Sequence, residues 1–539
     1  MQIVWILAAV LTSLTVLQAQ GPLDPALLKM PPTNAWPTYH GDYSGRHFST
    51  LKQINQFNVK ALSLAWVYRT NTSRTGAVIG GEGPDDSPAV GGNASIKAIP
   101  VMVDGVLYFT LPDHAWAVDA RTGQEIWHYY WKARGGIHIG NRGMGMWGNW
   151  LFFETPDCYL VSLDAATGKE RWHKQITDVK QEYFCTPAPL TIGNHVIAGM
   201  GGDSLDVPGW LESRDPETGE IQWKWYSTPR PGQPGSETWP DSYSMEHGGG
   251  MTWQPWTYDP ELNLLYVPTG NPNPVMAGQS RKGDDLWTAS IVALNPDTGK
   301  MAWYFQASPH DTHDWDNTEV PVLIDGVIDG QPRKLIAQAA RNGFYFLLDR
   351  TNGKNLLSKP FVESLNWHKG VNAKGQPVPN PEKDPKIEGV LVSPGSTGVT
   401  NWPAPSFSPE TDLFYVGSQQ TFSLFYLTDT DPHPQGYGAA ERNVGQWGSF
   451  LRAIDYKTGD IVWKHPTQAG AQGLLSTAGG LLFGTDGAGN FIAFDAKTGN
   501  PLWHAGIGNT TNAPETYMLD GHQYVVVGAG DSLYAFYLQ

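Results

Sequence analysis

The stretch VDARTGQEIW at 118–127 contains a pattern that returns along the chain: an apolar residue, Asp or Asn, two variable positions, Thr-Gly, three variable positions and Trp. Further copies are LDAATGKERW (163–172), RDPETGEIQW (214–223), LNPDTGKMAW (294–303), IDYKTGDIVW (454–463) and FDAKTGNPLW (494–503). A degenerate copy, LDRTNGKNLL (348–357), ends in Leu instead of Trp. Such self-similarity at a spacing of tens of residues is typical of stacked structural units.

The chemistry of the repeat fits a β-meander. Asp and Thr-Gly favour a tight turn, and the apolar residue and Trp belong to the two flanking strands. One small sheet cannot bury both of its faces alone, whereas a ring of sheets buries each Trp against the next sheet. The pattern therefore predicts an all-β propeller, in preference to a sandwich of unrelated hairpins.

The two ends of the chain supply one more blade than the seven copies of the motif. ALSLAWVYRT (61–70) has a strand pattern with Trp66 but no turn motif before it. YVVVGAGDSLYAFYL (524–538) has strand patterns with no Trp after them. Pairing the two segments removes the open sheet edges. We therefore expect an eight-bladed β-propeller closed by N- and C-terminal strands.

The composition agrees with one large, turn-rich and aromatic-rich domain. The 539 residues include 61 Gly and 23 Trp, and no low-complexity linker divides them. A regular repeat outweighs the several domains that length alone suggests. We expect the propeller to occupy 30–539, with 360–395 and 428–447 as excursions between blades.

The N-terminal sequence predicts export. Residues 3–17, IVWILAAVLTSLTVL, form an apolar run of signal-peptide length, and Ala19 is a small residue suited to cleavage. We expect a signal peptide at 1–19 and a periplasmic or secreted protein. The usual basic residues before the run are lacking, so an uncleaved anchor is the alternative, although the run is short for a membrane span.

The cysteines and the net charge limit which disulfides, covalently bound cofactors and partners the protein can have. Cys158 and Cys185 are the two cysteines, and in an oxidising compartment they are candidates for a disulfide that sequence alone does not decide. There is no Cys-x-x-Cys-His motif, so the chain encodes no covalently attached haem. The net charge of −16 argues against a nucleic-acid partner and suits a basic protein partner.

Six segments together resemble the pyrroloquinoline-quinone (PQQ)-dependent alcohol dehydrogenases, in the same order along the chain. They are TNAWPTYHGDYSGRHFSTLKQIN (33–55), GNRGMGMW (140–147), GGGMTWQPWTYDPELNLLYVPTGNPNP (248–274), SPHDTHDWDNTEVPVLIDG (308–326), ARNGFYFLLDRTNGK (340–354) and TNWPAPSFSP (400–409). The resemblance implies PQQ on the axis of an eight-bladed propeller, with a Ca²⁺ or lanthanide ion at its C5 carbonyl. It also implies a small alcohol or aldehyde substrate and a soluble c-type cytochrome as electron acceptor.

The resemblance assigns most of the cofactor contacts. PQQ carries three carboxylates, and arginine offers planar bidentate donors to such groups. Arg142 and Arg341 match the two quinone-contacting arginines, and Trp253 matches the ring on which the quinone stacks. Without the family, these residues read as surface arginines and a packing Trp. Thr186 and Asn401 match two polar contacts to the rim of the quinone. Trp402 follows Asn401 in the sequence, as it does in many family members.

The resemblance also assigns the catalytic segment, HDTHDWD at 310–316. Asp314 matches the general base that takes the hydroxyl proton while a hydride passes to the quinone. Asp316 matches the extra carboxylate of lanthanide-type relatives, because a trivalent hard cation favours another anionic oxygen. Asn271 matches a metal-ligating amide. Without the family resemblance, the same acidic and histidine-containing cluster is more typical of a turn or a solvated loop.

Two departures from the family weaken the predicted metal and cofactor sites. The family's adjacent cysteine pair aligns with Gly136-Ile137, so no vicinal disulfide forms there. The family's metal-binding Glu aligns with Ser204, and the neighbouring Asp203 or Asp206 is the candidate replacement. In an extended strand, neighbouring positions point to opposite faces, which leaves the role of Asp203 open.

Two further departures concern the pocket around the quinone. A quinone-contacting Glu aligns with Lys97, a cation suited to a quinone carboxylate or to a redesigned site. The family's Trp-bearing loops near the C-terminus align with AGAQGLL (469–475) and GAGDSLY (528–534), which have no Trp. We therefore expect a different lid and a different range of substrates.

These departures leave two classes of function open. The first is a PQQ-dependent enzyme that oxidises an alcohol or aldehyde. The second is a cofactor-free propeller that acts as a binding or assembly scaffold, as BamB-like assembly factors do. Retention of Arg142, Trp253, Asn271, Asp314, Asp316 and Arg341 together favours the enzyme, because a scaffold has no physical need for this set.

Overall fold

The computed structural model describes residues 21–70, 95–133, 140–181, 183–202 and 207–539. The predicted signal peptide, Gly136-Ile137, and the segment from Asp203 to Asp206 lie outside these ranges. In the described part of the chain, eight sheets of at least four strands follow one another, and we call them blades 1 to 8. A ring of such sheets is the predicted propeller architecture.

Blades 1 to 4 are antiparallel meanders whose four strands pair in chain order. Their strands are Val101–Val103, Val106–Leu111, His114–Asp119 and Glu125–Tyr130 in blade 1; Gly145–Trp147, Trp150–Glu154, Tyr159–Asp164 and Glu170–Gln175 in blade 2; Leu190–Ile192, His195–Ala198, Trp210–Arg214 and Ile221–Tyr226 in blade 3; and Thr257–Asp259, Leu264–Pro268, Ser290–Leu294 and Met301–Gln306 in blade 4.

Blades 5 to 8 keep this plan with additions. Their strands are Val322–Ile328, Gln331–Ala339, Phe344–Asp349 and Lys354–Pro360 in blade 5; Ser406–Ser408, Leu413–Leu427, Ala439–Asp455 and Ile461–Thr467 in blade 6; Leu475–Thr477, Leu481–Thr485, Asn490–Asp495 and Pro501–Gly506 in blade 7; and Glu515–Leu519, His522–Ala529, Ser532–Leu538 and Leu62–Arg69 in blade 8. Val390–Val392 extends blade 6, and Phe48–Ser49 joins blade 7 in parallel.

Helical structure is confined to short connections between strands. The α-helix Ser242–Glu246 has five residues. The 3₁₀ turns are Pro25–Lys29, Val59–Ala61, Val179–Gln181, Ser236–Thr238, Gly278–Ser280 and Pro381–Lys383. No helix within the described ranges is long and apolar enough to cross a membrane.

The ring closes as predicted, because blade 8 contains strands from both ends of the chain. Leu62–Arg69 pairs antiparallel with Ser532–Leu538, and Trp66 lies opposite Ala535. The Trp503 Nε1 of blade 7 then donates to the Leu62 carbonyl at 3.1 Å. Blade 8 is therefore bonded to its neighbour in the same manner as the blades inside the chain.

The repeated motif links each blade to the next. Trp127, on the last strand of blade 1, donates from Nε1 to the Ala165 carbonyl in the turn of blade 2 at 2.9 Å. Gly168 in that turn has a φ of 66°, and a Cβ there would lie 2.6 Å from the Trp127 ring. The same indole-to-turn hydrogen bonds join Trp66 to Ala120, Trp223 to Pro296, Trp303 to Arg350 and Trp463 to Ala496. Trp172 has no indole hydrogen bond but lies over Gly219 of blade 3, so it too packs against the neighbouring sheet, as predicted.

The two predicted excursions differ in kind. The one at 360–395 does lie between blades 5 and 6, and it includes a small sheet of His368–Val371 and Pro377–Pro379. The prediction that 428–447 lies between blades is wrong, because this segment connects two strands of blade 6 and its later part belongs to Ala439–Asp455. Pairing with the long strand Leu413–Leu427 extends the strand beyond what its local sequence indicates.

Cys158 and Cys185 form a disulfide with their Cα atoms 5.2 Å apart. Cys158 lies in a turn of blade 2, and Cys185 lies in the connection that leads to blade 3. The bond therefore ties this connection, which also contains Thr186, to blade 2. Both cysteines belong to a buried apolar cluster against which Trp253 packs.

Candidate active site

Loops from blades 2 to 6 bring distant parts of the sequence together. Arg142 lies just before blade 2, and Trp253 lies just before blade 4. Asp314 and Asp316 lie between blades 4 and 5, while Arg341 lies between two strands of blade 5. Blades arranged around one axis direct such loops to a shared centre. The contacts described below connect all of these residues.

The Asp316 carboxylate accepts hydrogen bonds from three of the predicted site residues. Its Oδ1 accepts from the Asn271 backbone N–H at 2.7 Å. Its Oδ2 accepts from Trp253 Nε1 at 3.1 Å and from Arg341 Nη2 at 3.0 Å. The side chain of Asp316 is only 4% exposed, so these bonds hold it in one place. Asp316 therefore fixes the position of the Trp253 ring relative to Asn271 and Arg341.

Arg341 connects both aspartates to the rim of the site. Its Nη1 donates to the Asp314 carbonyl at 2.8 Å and lies 4.0 Å from the Asp314 carboxylate. Its Nη2 also lies 3.5 Å from the Asn401 Oδ1. Its Nε lies 3.7 Å from the Glu319 carboxylate, a group for which the sequence offered no signal. Burial raises the pKa of Glu319 to about 8, and Arg341 opposes that rise.

Arg142 is a buried cation between two aromatic rings. Its guanidinium carbon lies 4.6 Å from the Trp253 ring centroid and 5.0 Å from that of Trp402. Burial lowers the pKa of Arg142 to about 10. Its Nε has no hydrogen-bond partner, and within the described ranges no carboxylate forms an ion pair with it. Such a site suits a flat anionic ligand, because buried cations are stable only when an anion compensates them.

The remaining predicted cofactor residues border this region. The Thr186 carbonyl accepts from the Arg142 N–H at 3.0 Å, and its Oγ1 lies 3.5 Å from the Trp253 carbonyl. The Lys97 Nζ lies 6.0 Å from the Trp402 ring centroid. Burial, followed by repulsion from Arg142, lowers the pKa of Lys97 to about 8. A cavity of about 450 Å³ opens beside these residues and is lined in part by Lys97, Asn401 and Trp402.

A strained turn presents Asp314. Its φ is 67°, a left-handed conformation that Asp tolerates better than most residues. The Asp311 carboxylate spans this turn, accepting from the His313 N–H at 3.4 Å and from the Trp315 N–H at 3.0 Å. The Asp314 side chain is 18% exposed, which makes it more accessible than Asp316.

Asp311 is a residue of this turn to which the sequence assigned no role. Its own carbonyl accepts from Arg281 Nη2 at 2.5 Å, which anchors the turn to a buried part of blade 4. The sequence did contain a signal for this role, namely the position of Asp311 just before Asp314, because an Asp commonly accepts hydrogen bonds from backbone N–H groups a few positions later.

Three oxygen-bearing side chains are available for a cation. The buried Asn271 Oδ1 has no hydrogen-bond partner, and the Asp314 and Asp316 carboxylates belong to the same cluster. Carboxylate and amide oxygens are the donors that hard cations prefer. The described residues contain no preformed group of three or more His, Cys, Asp or Glu suited to a metal, and the predicted ligand Asp203 lies outside them. The orphaned Asn271 oxygen is the feature that fits a cation.

Comparison with known proteins identifies the family. Residues 36–386 match the PQQ family described as glucose/ethanol/alcohol dehydrogenase, beta-propeller domain. Residues 448–537 match a family described as outer membrane protein assembly factor BamB. That second match covers part of blade 6 together with blades 7 and 8, which continue the same repeat.

Several enzymes resemble the chain over nearly its whole length. The quinohemoprotein alcohol dehydrogenase of Comamonas testosteroni is 34% identical, with 98% of this chain and 79% of the relative covered. The quinoprotein alcohol dehydrogenase PedH of Pseudomonas putida is 33% identical, with 90% and 84% covered.

Solved structures agree with this assignment. The crystal structure of the Comamonas testosteroni enzyme superposes with a TM-score of 0.82 at 32% identity, covering 94% of this chain and 80% of that one. A europium-containing methanol dehydrogenase superposes with a TM-score of 0.83 at 28% identity, covering 95% and 99%. With its closed ring of blades, its buried arginine and tryptophan cluster and these relatives, the chain belongs to the PQQ-dependent alcohol dehydrogenase family.

Proposed function

We propose that this protein binds PQQ and a hard cation and oxidises an alcohol or aldehyde. The observation that carries the proposal is the buried guanidinium of Arg142, which lies between Trp253 and Trp402 without an ion-pair partner among the described residues. PQQ is a flat molecule with three carboxylates, so it suits both the aromatic faces and the cation. The relatives named as quinoprotein alcohol dehydrogenases support this choice of ligand.

The proposed quinone site uses three cations and one aromatic floor. Arg142, Arg341 and Lys97 balance the three carboxylates, and Trp253 stacks on one face of the ring. Asp316 holds Trp253 through the indole Nε1 and so orients that floor. Polar contacts at the rim come from Thr186, Asn401 and Trp402.

The proposed metal ligands are Asn271, Asp314 and Asp316, with Asp203 as a further candidate. Asp316 would add a second carboxylate beside that of Asp314. A higher ligand charge favours a trivalent ion over a divalent one. The similarity to a europium-containing methanol dehydrogenase supports a lanthanide over calcium. The replacement of the family's Glu by Ser204 removes an anionic ligand and so lowers the preference for a trivalent ion.

In the proposed reaction, Asp314 is the general base. When bound, PQQ would supply a carbonyl carbon as the hydride acceptor, and the cation would supply a Lewis acid for that carbonyl. The Asp314 carboxylate takes the hydroxyl proton of the substrate, and the substrate carbon that loses the hydride becomes a carbonyl. Arg341 holds the Asp314 backbone oxygen at 2.8 Å and so keeps the base in position. The left-handed turn at Asp314 is one of the strained conformations that cluster at functional sites.

The electrons are proposed to pass to a separate c-type cytochrome in the periplasm or outside the cell. The chain has no haem-attachment motif, and its acidic character suits a basic redox partner. A cofactor-free scaffold is the weaker alternative. It does not account for a buried arginine, two aspartates and an orphaned amide oxygen in one cluster.

Binding and turnover test the proposal separately. Calorimetric titration with PQQ in the presence of Ca²⁺ or La³⁺ should show saturable binding, which Arg142→Gln should weaken at least tenfold. The Asp314→Asn variant should still bind PQQ but lose about 10²–10⁴-fold in dye-linked turnover, as expected for a positioned base. Absence of PQQ binding would favour the scaffold. Near-normal turnover of Asp314→Asn would remove the base assignment.

A further inference from the structure

The disulfide between Cys158 and Cys185 fastens a loop of the candidate site to a rigid sheet. Cys158 lies in the turn between the second and third strands of blade 2, where its N–H donates to the Thr155 carbonyl at 2.9 Å. Its own carbonyl accepts from the Ile176 N–H at 2.8 Å. Both cysteines are buried. The turn is therefore a fixed anchor, and the S–S bond is shielded from reductants in solution.

The loop on the other side of the disulfide, 183–189, is joined to blade 2 by this bond, and we call it the cystine loop. The Phe184 N–H donates to the Gly201 carbonyl at 3.1 Å, and the Tyr183 hydroxyl donates to the Pro208 carbonyl at 2.8 Å. Both acceptors lie in the connection between the second and third strands of blade 3. These hydrogen bonds therefore join one loop to another, whereas the disulfide joins the cystine loop to a sheet.

The cystine loop contacts the proposed quinone site through Thr186, the neighbour of Cys185. The Thr186 carbonyl accepts from the Arg142 N–H at 3.0 Å. Its Oγ1 lies 3.5 Å from the Trp253 carbonyl, so Thr186 also lies against the segment that bears the aromatic floor. The Trp253 side chain packs against the buried apolar cluster that contains both cysteines. A shift of the cystine loop would therefore move the backbone of Arg142 relative to the Trp253 ring.

Arg142 is sensitive to such a shift because no ion pair within the described ranges anchors its side chain. Its Nε also has no hydrogen-bond partner. The position of its guanidinium between Trp253 and Trp402 therefore depends on the two rings and on the backbone that bears it. A site that is already ordered binds its ligand more tightly, because less conformational entropy is lost on binding. A fixed cystine loop therefore favours tight binding of PQQ.

We propose that tight PQQ binding requires the Cys158–Cys185 disulfide, which positions Arg142 through Thr186. The inference rests on the proposed function, because it concerns the affinity for that cofactor. Disulfide formation removes two protons and two electrons from the two thiols, and glutathione disulfide takes them up to become two glutathione thiols. Disulfides persist in oxidising compartments, so a protein exported as a dithiol would complete its quinone site only after export.

A variant without the cross-link tests this proposal. Calorimetric titration with PQQ in the presence of Ca²⁺, well below the Tm, should give Cys158→Ala/Cys185→Ala a Kd at least tenfold above that of the oxidised wild type. The matched control is Leu160→Ala/Val196→Ala, which truncates two fully buried side chains of the same apolar cluster and keeps the disulfide. The Tm of the control should fall, because cavities destabilise a core, but its Kd for PQQ should stay within threefold.

A double-mutant cycle shows whether the disulfide acts through Arg142. In an Arg142→Gln background, loss of both cysteines should raise the Kd for PQQ less than threefold, because the group that the disulfide positions is already gone. A purely structural role of the disulfide would weaken PQQ binding equally in both backgrounds. Equal factors in the two backgrounds would therefore overturn the positioning role.

Refolding tests the same dependence without a substitution. Wild-type protein is unfolded and reduced with dithiothreitol, refolded with either glutathione disulfide or reduced glutathione, and gel-filtered before PQQ is added. A count of free thiols under denaturing conditions identifies the two forms, and the dithiol form should bind PQQ at least tenfold more weakly.

The outcomes separate this inference from the proposed function. Equal PQQ affinity of the dithiol and disulfide forms would overturn the inference and leave PQQ binding standing. So would a Kd for Leu160→Ala/Val196→Ala that rises as much as that of the cysteine variant. Absence of saturable PQQ binding by the oxidised wild type would overturn the proposed function and this inference with it.

Discussion

At the residue scale, Asp311 is proposed to position the base without touching the substrate. Its carboxylate accepts from the N–H groups on both sides of Asp314. Asp311→Ala should therefore lower turnover about 10²-fold, the order expected for a misplacement of about 1 Å. PQQ affinity should stay within a few-fold, because the quinone contacts come from other loops.

The conservative variant distinguishes positioning from general damage. Asp311→Asn keeps an oxygen that accepts from Trp315 N–H and should recover most of the turnover. Asp241→Ala is the control, because Asp241 accepts from the Ser244 N–H at 2.8 Å at the start of a helix outside the active-site cluster. If Asp311→Ala loses PQQ binding as strongly as turnover, its role is structural.

A second residue-scale prediction concerns Glu515. Both oxygens of this fully buried carboxyl group lack partners, and burial raises its pKa well above the ordinary value of 4.5. The folded state therefore keeps a proton that the unfolded state releases, so stability falls as the pH rises above about 4.5. Glu515→Gln should raise the Tm by roughly 1–3 °C at pH 8. The gain should be smaller at pH 5, and equal gains at both pH values would contradict this.

At the element scale, the motif turns of blades 1 to 5 and of blade 7 each contain a glycine beneath the Trp of the preceding blade. Gly499 has a φ of 72°, and a Cβ there would lie 2.5 Å from the Trp463 ring. Gly330 has a φ of 73° with nothing within 4 Å of such a Cβ. Both Gly→Ala changes impose backbone strain, but only Gly499→Ala also displaces the indole, which costs about 1–3 kcal/mol more. The Tm of Gly499→Ala, measured by thermal unfolding, should be well below that of Gly330→Ala. Equal Tm values would contradict the proposed contact between Gly499 and the Trp463 ring.

The elements also show how far sequence reasoning extends. The blades were predictable because Asp, Thr-Gly and Trp determine a turn and its contact locally, so each copy of the motif is sufficient to identify two strands. The long strands Leu413–Leu427 and Ala439–Asp455 were not, because their extension depends on pairing with each other. Similarly, the resemblance predicted residues that the fold brings together, such as Trp253 and Asp316. Glu319 depends on packing between distant loops and left no local pattern.

At the scale of the whole molecule, the ring depends on its last strand. A chain that ends at Gly530 lacks Ser532–Leu538 and leaves Leu62–Arg69 and His522–Ala529 with unpaired edges. Such edges promote aggregation. This truncation should yield insoluble protein or a protein without cooperative unfolding, measured by size-exclusion chromatography and thermal unfolding. A chain that ends at Leu538 is the control, and soluble protein of unchanged Tm from the truncation would contradict the closure.

The composition of blade 8 also determines an order in time. The strand Leu62–Arg69 is synthesised early, yet its partner Ser532–Leu538 is made only after blades 1 to 7. Bringing such distant segments together is the slowest kind of contact to form. The loop at Asn509–Asn512 that walls the cavity is likewise made late. A nascent chain therefore has no finished pocket, so the cofactor and the substrate encounter a complete site only after blade 8 has been synthesised and the ring has closed.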